Sequence, residues 1–206
     1  TDMAIELITK ALAIKPDYLD AHINLGNAFN KLGKFNEAVE SYQKALGIKP
    51  DYAEAHNNLG NALKELGKLD EAIMSFNKAL AIKPDYLDAH YNLGNALKDS
   101  GRPDEAVTSY GRALTIKPDY VEALNNLGNA LKEMGMLEKA VDNFNKVLTI
   151  KPDFAEAHFN LGRVLQEQGE QDEAITSYHK ALAIKPDYTD AHFNLGVALM
   201  EGDMLD

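Results

Sequence analysis

The sequence predicts an all-α protein of the α-α superhelix class, in which antiparallel helix pairs stack on one another. Six prolines recur every 34 residues, a fixed period that is typical of repeat architectures. Each period contains two apolar stripes of helical spacing and no alternating strand pattern. One helix pair cannot bury its apolar face alone, so neighbouring pairs must pack together. The recurring prolines are Pro16, Pro50, Pro84, Pro118, Pro152 and Pro186.

The first helix of a repeat is clearest between residues 18 and 32. Its stripe consists of Ala21, Leu25, Ala28, Phe29 and Leu32. We expect Asp17 to be the N-cap and Asp20 to lie in the first turn, because carboxylates suit both positions. Gly33 supplies a residue that can adopt the left-handed conformation that ends many helices.

The second helix of the repeat follows after a tight turn. Its apolar stripe consists of Ala38, Tyr42, Ala45 and Leu46. We expect Asn36 to cap its start, Lys49 to complement the dipole at its end, and Pro50 to stop it. The unit is therefore predicted to be helix, tight turn and helix.

The register divides the whole chain into one array. We expect residues 1–18 to be the second helix of a preceding repeat, and residues 189–206 to be the first helix of a truncated one. Five full repeats lie between them, at 19–52, 53–86, 87–120, 121–154 and 155–188. Both ends fall inside a repeat, which indicates an excised segment. Solenoids usually end in polar capping helices, so the uncapped terminal helices could also pair in self-association.

Composition excludes several classes of function. A net charge of -11 disfavours nucleic acid and anionic membranes, which are bound by basic surfaces. We found no apolar run of membrane-spanning length and no signal peptide, so we expect a cytoplasmic protein. There is no cysteine, no nucleophile elbow and no glycine-rich phosphate loop. We therefore expect no catalysis and no cofactor within these residues, although a catalytic domain could lie outside them.

Histidines also recur, but their spacing does not favour a metal site. His22, His56, His90, His158 and His192 lie in equivalent places of successive repeats. Neighbouring helices in a stack are about 8–10 Å apart, whereas the ligands of one zinc ion lie within about 4 Å of each other. Leu124 replaces histidine in the fourth repeat, which favours a packed, partly buried ring. We therefore expect no metal.

The residues that define each unit resemble those of the tetratricopeptide repeat (TPR) family over the whole chain. The first full unit has His22, Leu25, Gly26, Phe29, Ala38, Tyr42 and Pro50, and the next has Leu59, Gly60, Ala72, Phe76 and Pro84. The three units that follow keep the same spacing. The resemblance implies a right-handed superhelix whose first helices line a concave groove. We expect the glycine of each Leu-Gly pair to let the two helices of a repeat approach closely.

Two files of asparagines are the most informative polar feature. The first file is Asn24, Asn58, Asn92, Asn126, Asn160 and Asn194. The second file is Asn27, Asn61, Asn95 and Asn129, with Arg163 and then Val197 in the equivalent places. Positions three apart share one helix face. Asparagine is a mediocre helix former, so ten of them at matching places require a reason.

Two explanations for the asparagine files are open. By resemblance the files would line the groove, similar to the asparagine ladder of O-linked N-acetylglucosamine transferase arrays. An amide offers a donor and an acceptor and could hold the backbone of an extended peptide. Alternatively, one file hydrogen-bonds between repeats and fixes their spacing.

Aromatic residues beside the first file differ between repeats, as specificity would require. Tyr91, Phe159 and Phe193 could anchor apolar side chains of a peptide, or they could be ordinary packing residues. With the asparagines and Arg163, they complete the predicted peptide-binding set.

We therefore predict a non-catalytic protein-protein interaction scaffold that binds a peptide segment in its groove. Two alternatives are the substrate-recruiting array of a larger glycosyl- or sulfotransferase, and a self-assembling structural scaffold.

Overall fold

The structure, a computed structural model, describes residues 2–203, without the side chains of residues 202 and 203. Thr1 and the last three residues of the predicted truncated repeat lie outside the described residues. Within residues 2–203 there are twelve α-helices and no strand, which confirms the all-α prediction. The helices are α1 Asp2–Ile14, α2 Leu19–Lys31, α3 Phe35–Ile48, α4 Ala53–Glu65, α5 Leu69–Ile82, α6 Leu87–Asp99, α7 Pro103–Ile116, α8 Val121–Glu133, α9 Leu137–Ile150, α10 Ala155–Gln168, α11 Gln171–Ile184 and α12 Thr189–Asp203.

The described residues form two compact units, residues 2–102 and residues 103–203. The first unit contains α1 to α6 and the second contains α7 to α12. The boundary between Arg102 and Pro103 falls inside the predicted repeat 87–120. The division of the chain into 34-residue repeats stays a prediction from the sequence.

Each unit is a stack of two helix layers, in which every helix packs against the next one in the chain. In the first unit the backbone of α4 approaches those of α2 and α6 within 8 Å, and in the second unit the backbone of α10 approaches those of α8 and α12 in the same way. Within the described residues, no such approach occurs among α1, α3 and α5, or among α7, α9 and α11. The first helices therefore form the more closely spaced, inner layer of each unit.

Apolar burial follows this layering as a series of small cores. In the second unit, Leu131 of α8, Phe144 of α9 and Val164 of α10 belong to one buried cluster. In the first unit, Ile23 of α2 packs with Ala45 of α3 and with Ala55 of α4. Each core joins one repeat to its neighbour, as expected for a stacked array.

The predicted packing role of the Leu-Gly glycines is confirmed at Gly26, Gly60, Gly128 and Gly162, whereas a Cβ at Gly196 would meet no atom of the described residues within 4 Å. A Cβ added to Gly26 would lie 2.6 Å from Cε1 of Tyr42 in the next helix, and one added to Gly60 would lie 2.6 Å from Cε1 of Phe76. Real Cβ atoms essentially never come this close to another heavy atom. An aromatic ring of the second helix therefore rests directly on the backbone of the first.

The turns inside the repeats also agree with the prediction. Gly33 has φ of 70° and lies two residues after the end of α2. This left-handed conformation disfavours any residue with a Cβ. Equivalent glycines at 67, 101, 135 and 169 have φ between 70° and 83°.

The predicted caps at Asp17 and Asn36 are wrong. Tyr18, with extended backbone, precedes α2, and its amide bonds to the carbonyl of Lys15, so Asp17 lies within that turn. Lys34 precedes α3, which starts at Phe35 and therefore already contains Asn36. Neither helix start has a side-chain cap hydrogen bond. Asp20 does lie in the first turn of α2, where the helix dipole favours a carboxylate.

The turn between repeats is held instead by a lysine and an aromatic ring. The ammonium of Lys15 lies 5.2 Å from the centre of the Tyr18 ring, a favourable cation-π distance. The equivalent pairs, at 4.8 to 5.2 Å, are Lys49 with Tyr52, Lys83 with Tyr86, Lys117 with Tyr120, Lys151 with Phe154, and Lys185 with Tyr188.

Candidate functional site

The inner face of each unit carries the predicted site residues. We call the exposed side of α2, α4 and α6, and separately that of α8, α10 and α12, the first-helix surface. Both asparagine files belong to these helices.

The first file differs in exposure from repeat to repeat. Asn24 is exposed, whereas Asn58, Asn92, Asn126 and Asn194 are half-buried. Asn160 is buried, with 5% of its surface exposed. The first file therefore ranges from an exposed amide at Asn24 to a buried one at Asn160.

Hydrogen bonds join the first-file amides of Asn58, Asn92 and Asn160 to the preceding first helix. Nδ2 of Asn58 donates to Oδ1 of Asn27 at 3.2 Å. Nδ2 of Asn92 donates to Oδ1 of Asn57 at 3.1 Å, and Nδ2 of Asn160 donates to Oδ1 of Asn125 at 3.3 Å. These bonds support the alternative in which asparagines fix the spacing of repeats. Each one uses a single hydrogen of an Nδ2 group that has two.

The second file is half-buried from Asn27 to Asn129, and Arg163 is exposed. Asn27 is fully engaged as an acceptor, because it also receives the hydroxyl of Tyr42 at 2.7 Å. Arg163 places its guanidinium 5.8 Å from the centre of the Phe159 ring. It also lines a polar cleft on the first-helix surface of the second unit, with Lys132 and Asn194.

The three aromatic candidates occupy different environments. Phe159 is buried, with 7% exposure, and its ring lies 4.9 Å from that of Tyr188. This placement supports the packing alternative for Phe159. Phe193 is 71% exposed on α12, and Tyr91 is half-buried on α6. Phe193 is therefore the candidate whose ring is most accessible to a partner.

Sequence reasoning did not identify Asn57 and Asn125 as structural residues. Each is almost completely buried, with 4% and 2% exposure, and accepts a hydrogen bond from the next repeat. Nδ2 of Asn125 also donates to Oε1 of Glu156 at 2.9 Å. The sequence contained a signal for this role, because only these two repeats have asparagine at the position just before the first file.

Histidines join the first helices α2, α4, α6, α10 and α12 to the turns that precede them, whereas α8 has Leu124 at the equivalent place. Nε2 of His22 donates to the carbonyl of Pro16 at 2.7 Å, since a carbonyl can only accept. The equivalent bonds, at 2.8 to 2.9 Å, join His56 to Pro50, His90 to Pro84, His158 to Pro152, and His192 to Pro186. Each ring ties the first helix to the turn before it.

Two tyrosines of the second helices have raised pKa values. Burial, and to a lesser degree the Glu54 carboxylate, raise the pKa of Tyr42 to about 12. Burial also raises the pKa of Tyr178 to about 12, with a smaller opposing effect of Arg163. The Tyr178 hydroxyl donates to Oε1 of Gln166 at 2.9 Å. These hydroxyls are structural hydrogen-bond donors near neutral pH.

Within the part of the chain that the structure describes, no group of three His, Asp or Glu side chains could hold a metal ion. Among the same residues, no helix combines the length and the apolar character needed to cross a bilayer.

The two-layer stacks define an α-helical repeat protein of the interaction-scaffold class. A sequence model described as TPR repeat matches residues 26–67, 60–101, 94–135, 128–169 and 162–201. The chain therefore belongs to the TPR family. No curated protein matches its sequence.

Solved TPR structures resemble the chain closely. YrrB, described as a TPR protein with an unusual peptide-binding site, is 28% identical over 92% of this chain and 98% of its own, with a TM-score of 0.79. MamA is 28% identical over 83% of this chain and 95% of its own, with a TM-score of 0.76. Cut9 with Hcn1, from the APC/C, is 23% identical over 96% of this chain and 39% of its own, with a TM-score of 0.76, and shows the fold alone.

Proposed function

We propose that the chain is a non-catalytic scaffold that binds an extended peptide segment of another protein on a first-helix surface. The observation that carries the proposal is the row of partly exposed amides on the inner layer of each unit. An amide can donate to a peptide carbonyl and accept from a peptide N–H whatever the peptide's side chains are. Family membership and the peptide-binding site named for YrrB support the same function.

The hydrogen bonds between repeats still leave room for a ligand. Asn92 uses one of its two Nδ2 hydrogens to bond to Asn57, and the residue is half-buried, so part of its surface stays accessible to a ligand. The exposed Asn24 has no protein partner among the described residues. Each amide bond to a peptide contributes about 0.5–1.5 kcal/mol net, so several together give an affinity near the micromolar range.

Specificity comes from the groups beside the amides. Phe193 offers an exposed ring for an apolar side chain, and Tyr91 lies at the equivalent place in the first unit. In the second unit, Asn194 lies in a cleft with charges of both signs, because Arg163 and Lys132 line it together with Glu167 and Glu201. Lys132 is ion-paired with Glu167. The two units therefore present different side chains next to the same type of amide row.

The test begins with selecting a binder for the full chain from a displayed library of random peptides. The selected peptide, labelled with fluorescein, is titrated by anisotropy, and its site is mapped by hydrogen exchange. We expect slower exchange in first helices than in second helices. Protection confined to the second helices, or failure to select any peptide, would contradict the proposal.

Matched variants then examine the amides of the unit that binds. Asn24→Ala is compared with Asn77→Ala in the first unit, and Asn194→Ala with Asn145→Ala in the second. Asn77 and Asn145 are exposed residues of second helices and are the controls. We expect roughly two- to tenfold weaker binding for the first member of each pair, from the loss of one hydrogen bond. Equal binding by both members would show that the first file does not contact the peptide.

A second candidate is self-association through α1 and α12. Met3, Leu7 and Ile14 are exposed on α1, and Phe193 and Met200 are exposed on α12. Exposed apolar patches of this kind favour association. Sedimentation over a hundredfold range of concentration tests it, and a monomer at every concentration would exclude it. The role as the recruiting array of a transferase stays a prediction from the sequence.

A further inference from the structure

Two positions of the repeat vary together along the chain. Where the residue before the first file is asparagine, the aromatic residue of the second helix is phenylalanine, as in Asn57 with Phe76 and Asn125 with Phe144. Elsewhere that aromatic residue is tyrosine, as in Ile23 with Tyr42, Tyr91 with Tyr110 and Phe159 with Tyr178. Two kinds of repeat therefore alternate. The repeats of Tyr42 and Phe76 differ in the hydrogen bonding of the second-file asparagine, whereas Tyr178 donates to Gln166 and has Arg163 at the second-file place.

In the repeat with tyrosine at position 42, the second-file amide is occupied. Oδ1 of Asn27 accepts from the Tyr42 hydroxyl at 2.7 Å and from Nδ2 of Asn58 at 3.2 Å. A carbonyl oxygen has two lone pairs, and both are used. This amide cannot accept a further hydrogen bond from a ligand.

In the repeat with phenylalanine at position 76, both of these donors are missing. Phe76 has no hydroxyl group, and Nδ2 of Asn92 bonds to Asn57 rather than to Asn61. Within residues 2–203, no side chain or backbone group hydrogen-bonds to the Asn61 side chain. Asn61 is half-buried on the first-helix surface, so part of the residue is accessible to a ligand.

The second unit repeats the arrangement. Phe144 has no hydroxyl group, and Nδ2 of Asn160 bonds to Asn125. The Asn129 side chain is half-buried and has no hydrogen-bond partner among the described residues. Each unit therefore contains a second-file amide left unpaired by the same two substitutions.

The rings themselves lie in equivalent places. Cε1 of Tyr42 is 2.6 Å from the Cβ position of Gly26, and Cε1 of Phe76 is 2.6 Å from that of Gly60. The corresponding Cδ1 distances are 2.8 Å in both repeats. A hydroxyl added to Phe76 would therefore point toward Asn61 as that of Tyr42 points toward Asn27.

We propose that Asn61 and Asn129 are the second-file amides that bind the backbone of an extended peptide, and that Phe76 and Phe144 keep them free to do so. Oδ1 of each amide accepts a peptide N–H and Nδ2 donates to a peptide carbonyl. Asn27 cannot offer the same acceptor. The inference depends on the proposed function and identifies which asparagines of the second file bind the peptide.

Phe76→Tyr and Phe144→Tyr test the inference with the selected fluorescein-labelled peptide. The new hydroxyl would occupy Oδ1 of the neighbouring asparagine. We expect roughly two- to tenfold weaker binding for the variant in the unit that binds, which corresponds to one hydrogen bond. The thermal midpoint should stay within a few degrees of the parent value, since Tyr42 shows that the site accepts tyrosine. Tyr42→Phe is the matched control and should bind no more weakly than the parent.

A double-mutant cycle separates this effect from a general change in packing. In the unit that binds, Asn61→Ala or Asn129→Ala should weaken binding by itself. Adding the matching Phe→Tyr substitution to it should change nothing further, because both act on one amide. Additive effects of the two substitutions would overturn the inference. So would parent-like binding by both Phe→Tyr variants, if Asn24→Ala or Asn194→Ala still weakens peptide binding. Either result would leave the proposed function intact. Failure to select any peptide would overturn both.

Discussion

The Tyr42 hydroxyl donates a 2.7 Å hydrogen bond to Oδ1 of Asn27, and this bond joins the second helix of a repeat to its first helix. The same oxygen accepts from Asn58 of the next repeat. One asparagine therefore connects α2, α3 and α4. The Tyr42 side chain is almost fully buried, with 1% exposure, so its hydroxyl depends on this partner.

This buried hydroxyl predicts a loss of stability at alkaline pH. Burial raises the pKa of Tyr42 to about 12, above the ordinary value of 10.0 that applies to the unfolded chain. Its contribution is therefore fully present below pH 10 and is lost as pH rises toward 12. We expect the free energy of unfolding to fall by about 1.4 kcal/mol at pH 11 from this residue.

Urea unfolding of the parent protein and Tyr42→Phe at pH 9, 10 and 11 measures that contribution. Because the change of pH acts on the whole protein, the difference in stability between the two proteins is the informative quantity. Tyr42→Phe should be less stable by about 0.5–1.5 kcal/mol at pH 9 and should close this gap at pH 11. A gap that stays constant with pH would show that Tyr42 ionises equally in both states.

The contact between Gly162 and Tyr178 predicts a strong effect of one methyl group. A Cβ on Gly162 would lie 2.6 Å from Cε1 of Tyr178, whose side chain is fully buried. Overpacking of this kind typically costs about 1–3 kcal/mol. We expect Gly162→Ala to lower the free energy of unfolding by that amount, measured by urea denaturation.

Gly196→Ala is the matched control, because it changes the same place of the repeat on α12. No neighbouring atom of the described residues lies within 4 Å of a Cβ at Gly196. Alanine is a better helix former than glycine by about 1 kcal/mol, so this variant should be neutral or slightly stabilised. Equal destabilisation of both variants would contradict the packing role of the glycine.

Much of this fold could be predicted from the sequence, because the strongest signals act locally. The end of α2 near Gly33 requires only a residue in the left-handed conformation, and the φ of 70° at Gly33 confirms that prediction. The close contact at Gly60 follows from a glycine that recurs at one helical position together with an aromatic residue in the next helix. The period itself then determines which units are neighbours.

The hydrogen bonding of the candidate site could not be predicted in the same way. Asn92 could have bonded to Asn61, as Asn58 does to Asn27, but it bonds to Asn57 instead. The choice depends on distances between side chains of adjacent repeats, which a period does not specify. The caps failed for a related reason: the Lys15 to Tyr18 turn moved Asp17 out of the N-cap position.

The left-handed turn glycines predict a second kind of glycine sensitivity. Gly67 has φ of 72°, and a residue with a Cβ in this conformation costs roughly 1–2 kcal/mol. We expect Gly67→Ala to lose that much stability in urea unfolding. Gly47 lies inside α3, with no neighbouring atom of the described residues within 4 Å of a Cβ, so Gly47→Ala should gain up to about 1 kcal/mol. Destabilisation by Gly47→Ala as large as that by Gly67→Ala would contradict this assignment.

The bond from Asn160 to Asn125 predicts which asparagines stabilise the fold. Asn160→Ala removes the donor and leaves Oδ1 of Asn125 without it in a site that is only 2% exposed. An unsatisfied buried acceptor costs about 1–3 kcal/mol, so we expect a loss of that size in urea unfolding. Asn24→Ala is the control, because Asn24 is exposed and bonds to no described residue, and its stability should change by less than about 0.5 kcal/mol. If both variants were as stable as the parent, the hydrogen bonds between repeats would contribute nothing to stability. A role in fixing the spacing of repeats could then not explain why the first file contains asparagine. If Asn160→Ala alone is destabilised, one file contains both structural amides and amides free for a ligand, and the choice between them is made by the burial of each acceptor.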